Sequence, residues 1–469
     1  MLGEILRSPL VASTVRKARG QVLSLSLRAL SRVRSVMGDS GGAHVDDDPA
    51  AAGLARFRPF ADATLEDPHP FYEAVRKEKP VYRVPGADYY LVSRYEDVRT
   101  VTLDPETYSS NLVAILLAGG KGGVQSMKLP DLGVGPIDVL ALVDPPVHAV
   151  HRKLASAAFS QRVQRGLDED IRGIVTELLD DFLARGGGDF MHEVAEVLPM
   201  RLVLRLVDLD EGRHREVKRW CDHAISLLSG VNTPEQFAAH VDEGFKLYSF
   251  CVREVRRARR DGTSSDLMRA MIDAIEGRSE AKLSEAEAIS ILLQILIAGS
   301  DSAASTMGSA MHHLVRDEAL QARLRAEPDR LPTFVEEVLR LEAPFQGHFR
   351  LVTRDTELSG TKLPKGSRVL ALWTSANRDE AKFPEPHRLD LDRANARHHM
   401  AFGYGPHLCL GAPLARREIT IAMEEVLRRT SHVALGDGEV RHRPSVFTRT
   451  LERLPIRARA ESPTSARAS

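Results

Sequence analysis

The ten residues Phe402-Gly403-Tyr404-Gly405-Pro406-His407-Leu408-Cys409-Leu410-Gly411 place one cysteine in a glycine-punctuated loop that runs into a helical-looking segment from Ala412 onward. No other stretch of the chain restricts the fold as strongly. A cysteine just ahead of a helix has its thiol pKa lowered by the helix dipole, so a loop of this shape can hold a thiolate where a ligand meets it. Gly403 and Gly405 permit a tight turn, and Gly411 lets backbone lie close to a flat ligand. Taken by residue type alone, a lone cysteine is more often a buried, unreactive small hydrophobe, so the reading rests on the loop around it.

The rest of the composition is that of a large globular enzyme. The chain has 469 residues, 43% of them hydrophobic and only 5% aromatic, enough to bury a sizeable core and leaning towards helix. Lys plus Arg number 64 against 65 Asp plus Glu, a balance that offers no electrostatic case for nucleic acid. Cys221, Cys251 and Cys409 lie far apart with no C-x-x-C pair, which argues against a disulfide framework or a thiolate zinc site and fits a reducing cytoplasm. No run of about 18 uninterrupted apolar residues marks a membrane span.

The first 55 residues read as an extension and linker, 56–458 as one catalytic domain and 459–469 as a disordered tail. The extension carries Arg7, Arg16, Lys17, Arg19, Arg28, Arg32 and Arg34 against the single acid Glu4, interleaved with Leu2, Ile5, Leu6, Leu10, Val11 and Val15. That pattern suits a basic amphipathic helix in peripheral contact with a membrane, or a transit peptide. It equally suits a disordered tail or an extension upstream of the true start. A monomer is expected.

Within the domain, the glycine-rich stretch 110–142 reads as a long functional loop, assigned to substrate access. Helical periodicity follows near 161–185, 211–229, 234–260 and 264–275, with a turn at 229–234 that could hinge a two-helix lid or join two static helices. Asp144-Pro145-Pro146 reads as an N-cap with helix-compatible prolines, putting His148 and Arg152 one turn apart on one face. Ser284 and Glu287 make a capping box opening a helix to about Arg316, roughly 50 Å long. Near its middle, Ala298-Gly299-Ser300-Asp301-Ser302 is small and polar where apolar packing should continue. Serine hydroxyls there can bond back to a carbonyl one turn earlier and bend the helix, opening a groove. Pro332 and Pro344 bracket a helix over 333–343 with Glu337 and Arg340 on one face. Short strands are expected at 89–93, 358–363 and 368–373.

In order and spacing, these strings resemble the cytochrome P450 family over about residues 57–455. The cysteine loop fills every fixed position of the family's F-G-x-G-x-H-x-C-x-G. The mid-helix segment matches A/G-G-x-D/E-T, with Ser302 where threonine is usual. Glu337-Val338-Leu339-Arg340 matches E-x-x-R, and Ala376-Asn377-Arg378-Asp379 with Phe383-Pro384 matches the stretch before the haem loop. The resemblance implies a mainly α fold with small β-sheets and a long, kinked central helix over haem b, with Cys409 as axial iron ligand. It implies haem contacts from His148, Arg152, Arg350 and His407 to the propionates, and from Phe402, Gly403, Gly411 and Ala298. Asp301, Ser302 and Gly299 would form the oxygen-activation site. Glu337, Arg340 and Arg393 would be structural, and Leu112, Ile115, Leu116, Ile297, Phe345, Gln346 and Phe447 would line the substrate pocket.

The implied activity is hydroxylation of an apolar small molecule (steroid, terpenoid, fatty acyl or aromatic) with O2 and electrons from an external ferredoxin and its NAD(P)H-linked reductase. Arg416, Arg417 and Lys153 would present a basic docking face to that donor, unless they form an ordinary solvated surface. A peroxygenase or rearrangement catalyst is the alternative enzyme, and a non-catalytic recruitment module the alternative outside catalysis.

Overall fold

The computed structural model describes residues 47–48, 51–85, 87, 89–112, 115–118, 124–127, 137–156 and 161–461. The basic extension up to residue 46 and the tail from 462 lie outside the described residues.

The fold is organised around the helix Glu285–Arg316. Its start is set by a reciprocal capping box in which the Glu287 N–H donates to Ser284 Oγ (3.2 Å) and the Ser284 N–H donates to Glu287 Oε2 (2.7 Å). From Ala288 to Val315 most side chains are buried. The helix is long and apolar enough to cross a membrane, yet 72% of its most apolar window is buried inside the protein, so its apolarity answers to the core. Helices Val197–Leu206, His214–Ser226 and Pro234–Asp261 pack against one side of it, and Leu331–Leu341 and Ala412–Arg429 against another. Leu414, on the helix that follows the cysteine loop, packs against both of the resulting apolar clusters.

The β-structure is small and lies to the side. A five-stranded sheet runs in the order Val81–Arg83, Tyr90–Val92, Arg368–Ala371, His348–Val352, Tyr108–Ser109. Only the pairing of Tyr90–Val92 with Arg368–Ala371 is parallel. Thr430–Leu435, Pro455–Ala460 and Gly187–Asp189 form an antiparallel three-stranded sheet, so the last strand runs two residues past the expected domain end at 458. Between sheet and helices, the 376–384 stretch acts as a clasp. Asp379 Oδ2 accepts from the Tyr95 N–H (2.8 Å), and Asn377 Oδ1 accepts from the Met400 N–H (2.6 Å).

Several expectations shift. Asp144 does not cap the helix after it: Val147–Ala155 begins behind Pro146 with no side-chain cap. The Asp144 carboxylate instead accepts from the Ser110 N–H (2.8 Å) and the Ser109 hydroxyl, tying down the start of the 110–142 stretch. That stretch contains a hairpin, Ile115–Ala118 with Val124–Met127. The 333–343 helix spans Leu331–Leu341, because Pro332 fits inside a first turn. The 358–363 piece is a hairpin, Thr356–Leu358 with Thr361–Leu363, and 211–229 resolves into a short 3-10 turn, Glu211–Arg213, before His214–Ser226. The turn at 229–234 ends in a second capping box, Thr233 with Gln236.

Two stability outcomes are expected. Ser284→Ala removes one capping bond and should cost about 1 kcal/mol in urea denaturation. Glu418 is buried on Ala412–Arg429, and burial pushes its carboxyl up from the usual 4.5 to about 8. Between those values the folded chain binds one more proton than the unfolded chain, so stability falls as pH rises through that window. Glu418→Gln should therefore raise Tm at pH 8 more than at pH 5, as read by calorimetry.

Candidate active site

Two features set the backbone of the cysteine loop. Gly403 (φ +73°) and Gly405 (φ +72°) occupy the left-handed region, and a Cβ on Gly405 would stand 2.8 Å from the Thr102 carbonyl oxygen. The Cys409 N–H donates back to the Phe402 carbonyl (2.9 Å), closing the turn. Gly411 caps Ala412–Arg429 with φ −79°, a conformation open to any residue.

The loop is anchored by two adjacent glutamates of Leu331–Leu341. Glu337 and Arg340 are both fully buried: Arg340 Nε donates to Glu337 Oε1 (2.6 Å) and Nη2 to Oε2 (2.9 Å). The Arg340 fork also donates to the carbonyls of Asn377 (3.1 Å), Pro386 (2.6 Å) and Arg388 (2.9 Å). Arg393 Nε meets Glu337 Oε2 (3.0 Å) and donates to the Pro384 carbonyl (2.7 Å). The three residues expected to act together therefore touch. Glu336 faces the cysteine loop. It accepts from His399 Nε2 (2.9 Å) on one side of the loop and from Arg416 Nε (2.6 Å) on the other, and the Arg416 guanidinium lies 4.5 Å over the Phe402 ring. Despite burial, His399 and Arg416 hold the Glu336 carboxyl down to about 2.

The thiol itself is accessible to solvent, although burial raises its pKa against the N–H groups of Gly411 and Ala412 and the guanidinium groups of Arg152 and Arg416. The lowering expected from the helix start is present but outweighed. Cys409 is exposed, yet enough atoms surround its sulfur to desolvate it. Ala298 is likewise exposed in the middle of the core helix, with Ile297, Gly299 and Ser302 half-buried beside it. Ile297 and Leu410 pack against the same apolar cluster.

His148, Arg152, Arg350 and His407 converge. The His148 and His407 rings are 4.1 Å apart, and Arg152 Nη1 donates to the Leu408 carbonyl (2.7 Å). Burial, then His148, Arg350 and Arg152, force the His407 pKa down to about 3, and its Nε2 is buried without a hydrogen-bond partner. Burial lowers the Arg350 guanidinium to about 10, although Asp144 opposes the shift. Such a gathering of cations and imidazoles, with one nitrogen unmet, calls for an anionic group.

Asp301 and Ser302 do not bond to each other. Asp301 is buried, 3.6 Å from Lys218 Nζ on His214–Ser226, and accepts from the Thr450 hydroxyl (3.2 Å). Burial alone would lower the Lys218 pKa, but Asp222, Asp301 and Glu196 raise it and keep the cation. The Ser302 hydroxyl donates to the Ala298 carbonyl (3.0 Å), as a back-bonded serine does. Gly299 has a packing role, since a Cβ there would meet Val203 at 3.1 Å.

Of the expected pocket residues, Phe345 and Phe447 have their rings 5.2 Å apart and tilted by 54°. Gln346 is withdrawn from any such surface. Its Oε1 accepts from Tyr72 (2.7 Å), and its Nε2 donates to the carbonyls of Ser445 (2.9 Å) and Thr448 (3.4 Å). Leu112 belongs to a different apolar cluster, with Phe349 and Val446. Ile115 and Leu116 lie on a hairpin strand, with their side chains outside the described residues.

A family model described as Cytochrome P450 matches residues 201–448. The chain belongs to the cytochrome P450 family. Cytochrome P450 144 of Mycobacterium tuberculosis is 34% identical over 399 residues, 85% of this chain and 90% of that protein. The Steroid C26-monooxygenase of the same organism is 31% identical over 388 residues, 82% and 92% of the two. Among solved structures, cytochrome P450 CREJ in complex with (4-ethylphenyl) dihydrogen phosphate aligns with TM-score 0.79 and 28% identity, covering 87% of this chain and all of that one. This P450 is thus a monooxygenase-family protein whose cofactor is haem b. The residues fit it: an accessible thiol for the iron, a cationic cluster for two propionates and an exposed helix face at Ala298.

Sequence reasoning missed His348, Trp373 and Lys218. His348 lies 5.5 Å from the Phe345 ring and 5.4 Å from Phe447, and its Nδ1 accepts from the Trp373 indole (2.8 Å). Its position two residues before Arg350 was the available signal. Lys218 is a cation beside Val217 and in helical register with Cys221 and Ile225, a lysine on an apolar face.

Breaking the buried Glu337–Arg340 pair should cost about 3–5 kcal/mol, because the remaining charge is left uncompensated. Glu337→Ala protein is therefore expected to purify with little bound haem and a lowered urea midpoint.

Proposed function

We propose that this P450 hydroxylates an apolar small molecule of steroid size, using O2 and two electrons delivered by an external ferredoxin and its reductase in the cytoplasm. The observation that carries the reading is the accessible Cys409 sulfur in a loop fixed on both sides by Glu336 and Glu337. The kinship to a protein named Steroid C26-monooxygenase supports the substrate class.

When bound, haem supplies the oxygen chemistry, activated by electron donation from the cysteine thiolate. Cys409 would supply the thiolate to the iron, its charge stabilised by the N–H groups of Gly411 and Ala412. His148, Arg152, Arg350 and His407 would hold the propionates, the two guanidinium groups by charge and the imidazoles by N–H donation. Asp301 and Ser302 would pass protons inward. For this the Asp301 carboxylate must release Lys218 and Thr450, and the Ser302 hydroxyl must leave the Ala298 carbonyl. Both motions are rotamer changes, and water can take the vacated positions.

The engagement of both groups in protein bonds favours one second reading, a peroxygenase that draws oxygen and electrons together from peroxide. Product formation separates the two. Turnover fed by reduced ferredoxin under O2 should exceed turnover with peroxide alone, and the opposite order would favour the peroxygenase. The reduced, carbon monoxide-treated protein should show a thiolate-type absorption maximum that Cys409→Ser abolishes. Asp301→Asn should lower kcat by about 10²-fold or more, with an enlarged solvent isotope effect and little change in substrate binding.

A further inference from the structure

His348 opens the strand His348–Val352, and the backbone around it fixes where its ring stands. In the sheet it lies opposite Ala371, and Gly347 before it passes so close to that strand that a Cβ there would collide with the Ala371 carbonyl oxygen. Just upstream, Phe345 pairs with Thr448 in an isolated antiparallel bridge, and the Gln346 N–H donates to the Phe447 carbonyl (2.8 Å). These bonds bring the rings of Phe345 and Phe447 to 5.5 and 5.4 Å from the imidazole.

Trp373 decides the tautomer. It is buried in an apolar cluster with Tyr95 and Phe383, and an indole N–H can only donate. Because it donates to His348 Nδ1 (2.8 Å), Nδ1 is the bare nitrogen and the ring carries its proton at Nε2. His348 makes no other hydrogen bond among the described residues and is half-buried, as are Phe345 and Phe447. Burial, then the Arg350 guanidinium, bring its pKa down to about 3, so the ring is uncharged. His348 and Arg350, two apart on one strand, share a face. His348 is also one of the groups that depress His407, which places the imidazole within electrostatic reach of the cluster beside Cys409. Other polar side chains of the expected site are already engaged: Gln346 by Tyr72, Ser445 and Thr448, Asp301 by Lys218 and Thr450, and Ser302 by the Ala298 carbonyl.

We propose that His348 is a specificity-determining residue whose Nε2–H donates to an uncharged oxygen, that of a ketone, ester or hydroxyl group, on an otherwise apolar substrate. The proposal rests on the monooxygenase reading and narrows its substrate class. A donor covered by a guest without an acceptor loses its bond to water and gains nothing in return, so the site selects for an oxygen at that point. Charged groups are drawn instead to Arg152 and Arg350, because the neutral ring offers a donor without a charge. Trp373 is a positioning residue, since without its N–H the ring can turn over or exchange its proton between nitrogens.

The test uses the haem-loaded protein with two probes that differ by one carbonyl, 4-phenylcyclohexanone and cyclohexylbenzene, and reads both Kd values by calorimetry. His348→Leu should shift the ratio of the two by about tenfold against the ketone. His348→Gln, whose amide keeps a donor, should recover part of that shift, and Trp373→Phe should reproduce about a threefold part of it. A ratio that stays within twofold of the parent in His348→Leu overturns the proposal. So does a His348→Leu protein that keeps the ratio but loses haem on purification, because the imidazole then serves the propionates. If the parent protein, reduced under carbon monoxide, lacks the thiolate-type band, it is the monooxygenase reading that fails, and the ratio still reports on the donor at His348.

Discussion

The buried charge network of Leu331–Leu341 is the constraint on which the rest of the site depends. A fully buried ion pair gains little over apolar packing of the same volume, because desolvation offsets the attraction. What Glu337 and Arg340 contribute is geometry. Arg340 joins one carboxylate to three backbone carbonyls of the 377–388 stretch, and Arg393 adds the Pro384 carbonyl to the same carboxylate. The planar guanidinium tolerates few alternative arrangements, so the chain leading to the cysteine loop is fixed in direction as well as in place. Glu336 then draws the two flanks of the loop together through His399 and Arg416. These bonds are made by protein groups alone, and together they fix the position in which the sulfur is presented.

Around that anchor, each functional group is placed by an element with a separate reason to exist. The central helix is continuous because its length buries apolar surface along nearly its whole course. Its small residues serve two ends: Gly299 admits Val203, and Ala298 leaves surface open beside it. The cationic cluster draws on a helix, a strand and the loop, which meet because the 110 region is tied to Asp144 and because Arg350 lies on an inner strand of the five-stranded sheet. Burial holds His407 uncharged, so the positive charge here rests on Arg152 and Arg350, with Asp144 beside the latter.

Much of this was legible in the sequence, and the residues explain where legibility ended. Local signals were read well: the Ser284–Glu287 box and the glycines at 403 and 405 act through their own neighbours. The resemblance supplied Arg393, which the E-x-x-R spacing alone could not have found 53 residues beyond Arg340. Orientation was not legible. Asp301 and Ser302 are adjacent, but neighbours in a helix point about 100° apart, so one reaches Lys218 and the other its own helix. Gln346 and Leu112 sit at positions where pocket and core are separated by a rotation, and tertiary partners at 72 and 445–448 decided between them. The carboxylates that pair with Arg416 and Arg417, Glu336 and Asp168, were not legible either, since they are distant in the chain.

The position of Lys218 has a consequence for motion. It stands on His214–Ser226, where it meets Asp222 of the same helix, while a second carboxylate, Asp301, stands on the central helix. One ammonium group thus rivets two helices together, and parting them would leave a buried charge uncompensated, at a cost of about 3–5 kcal/mol.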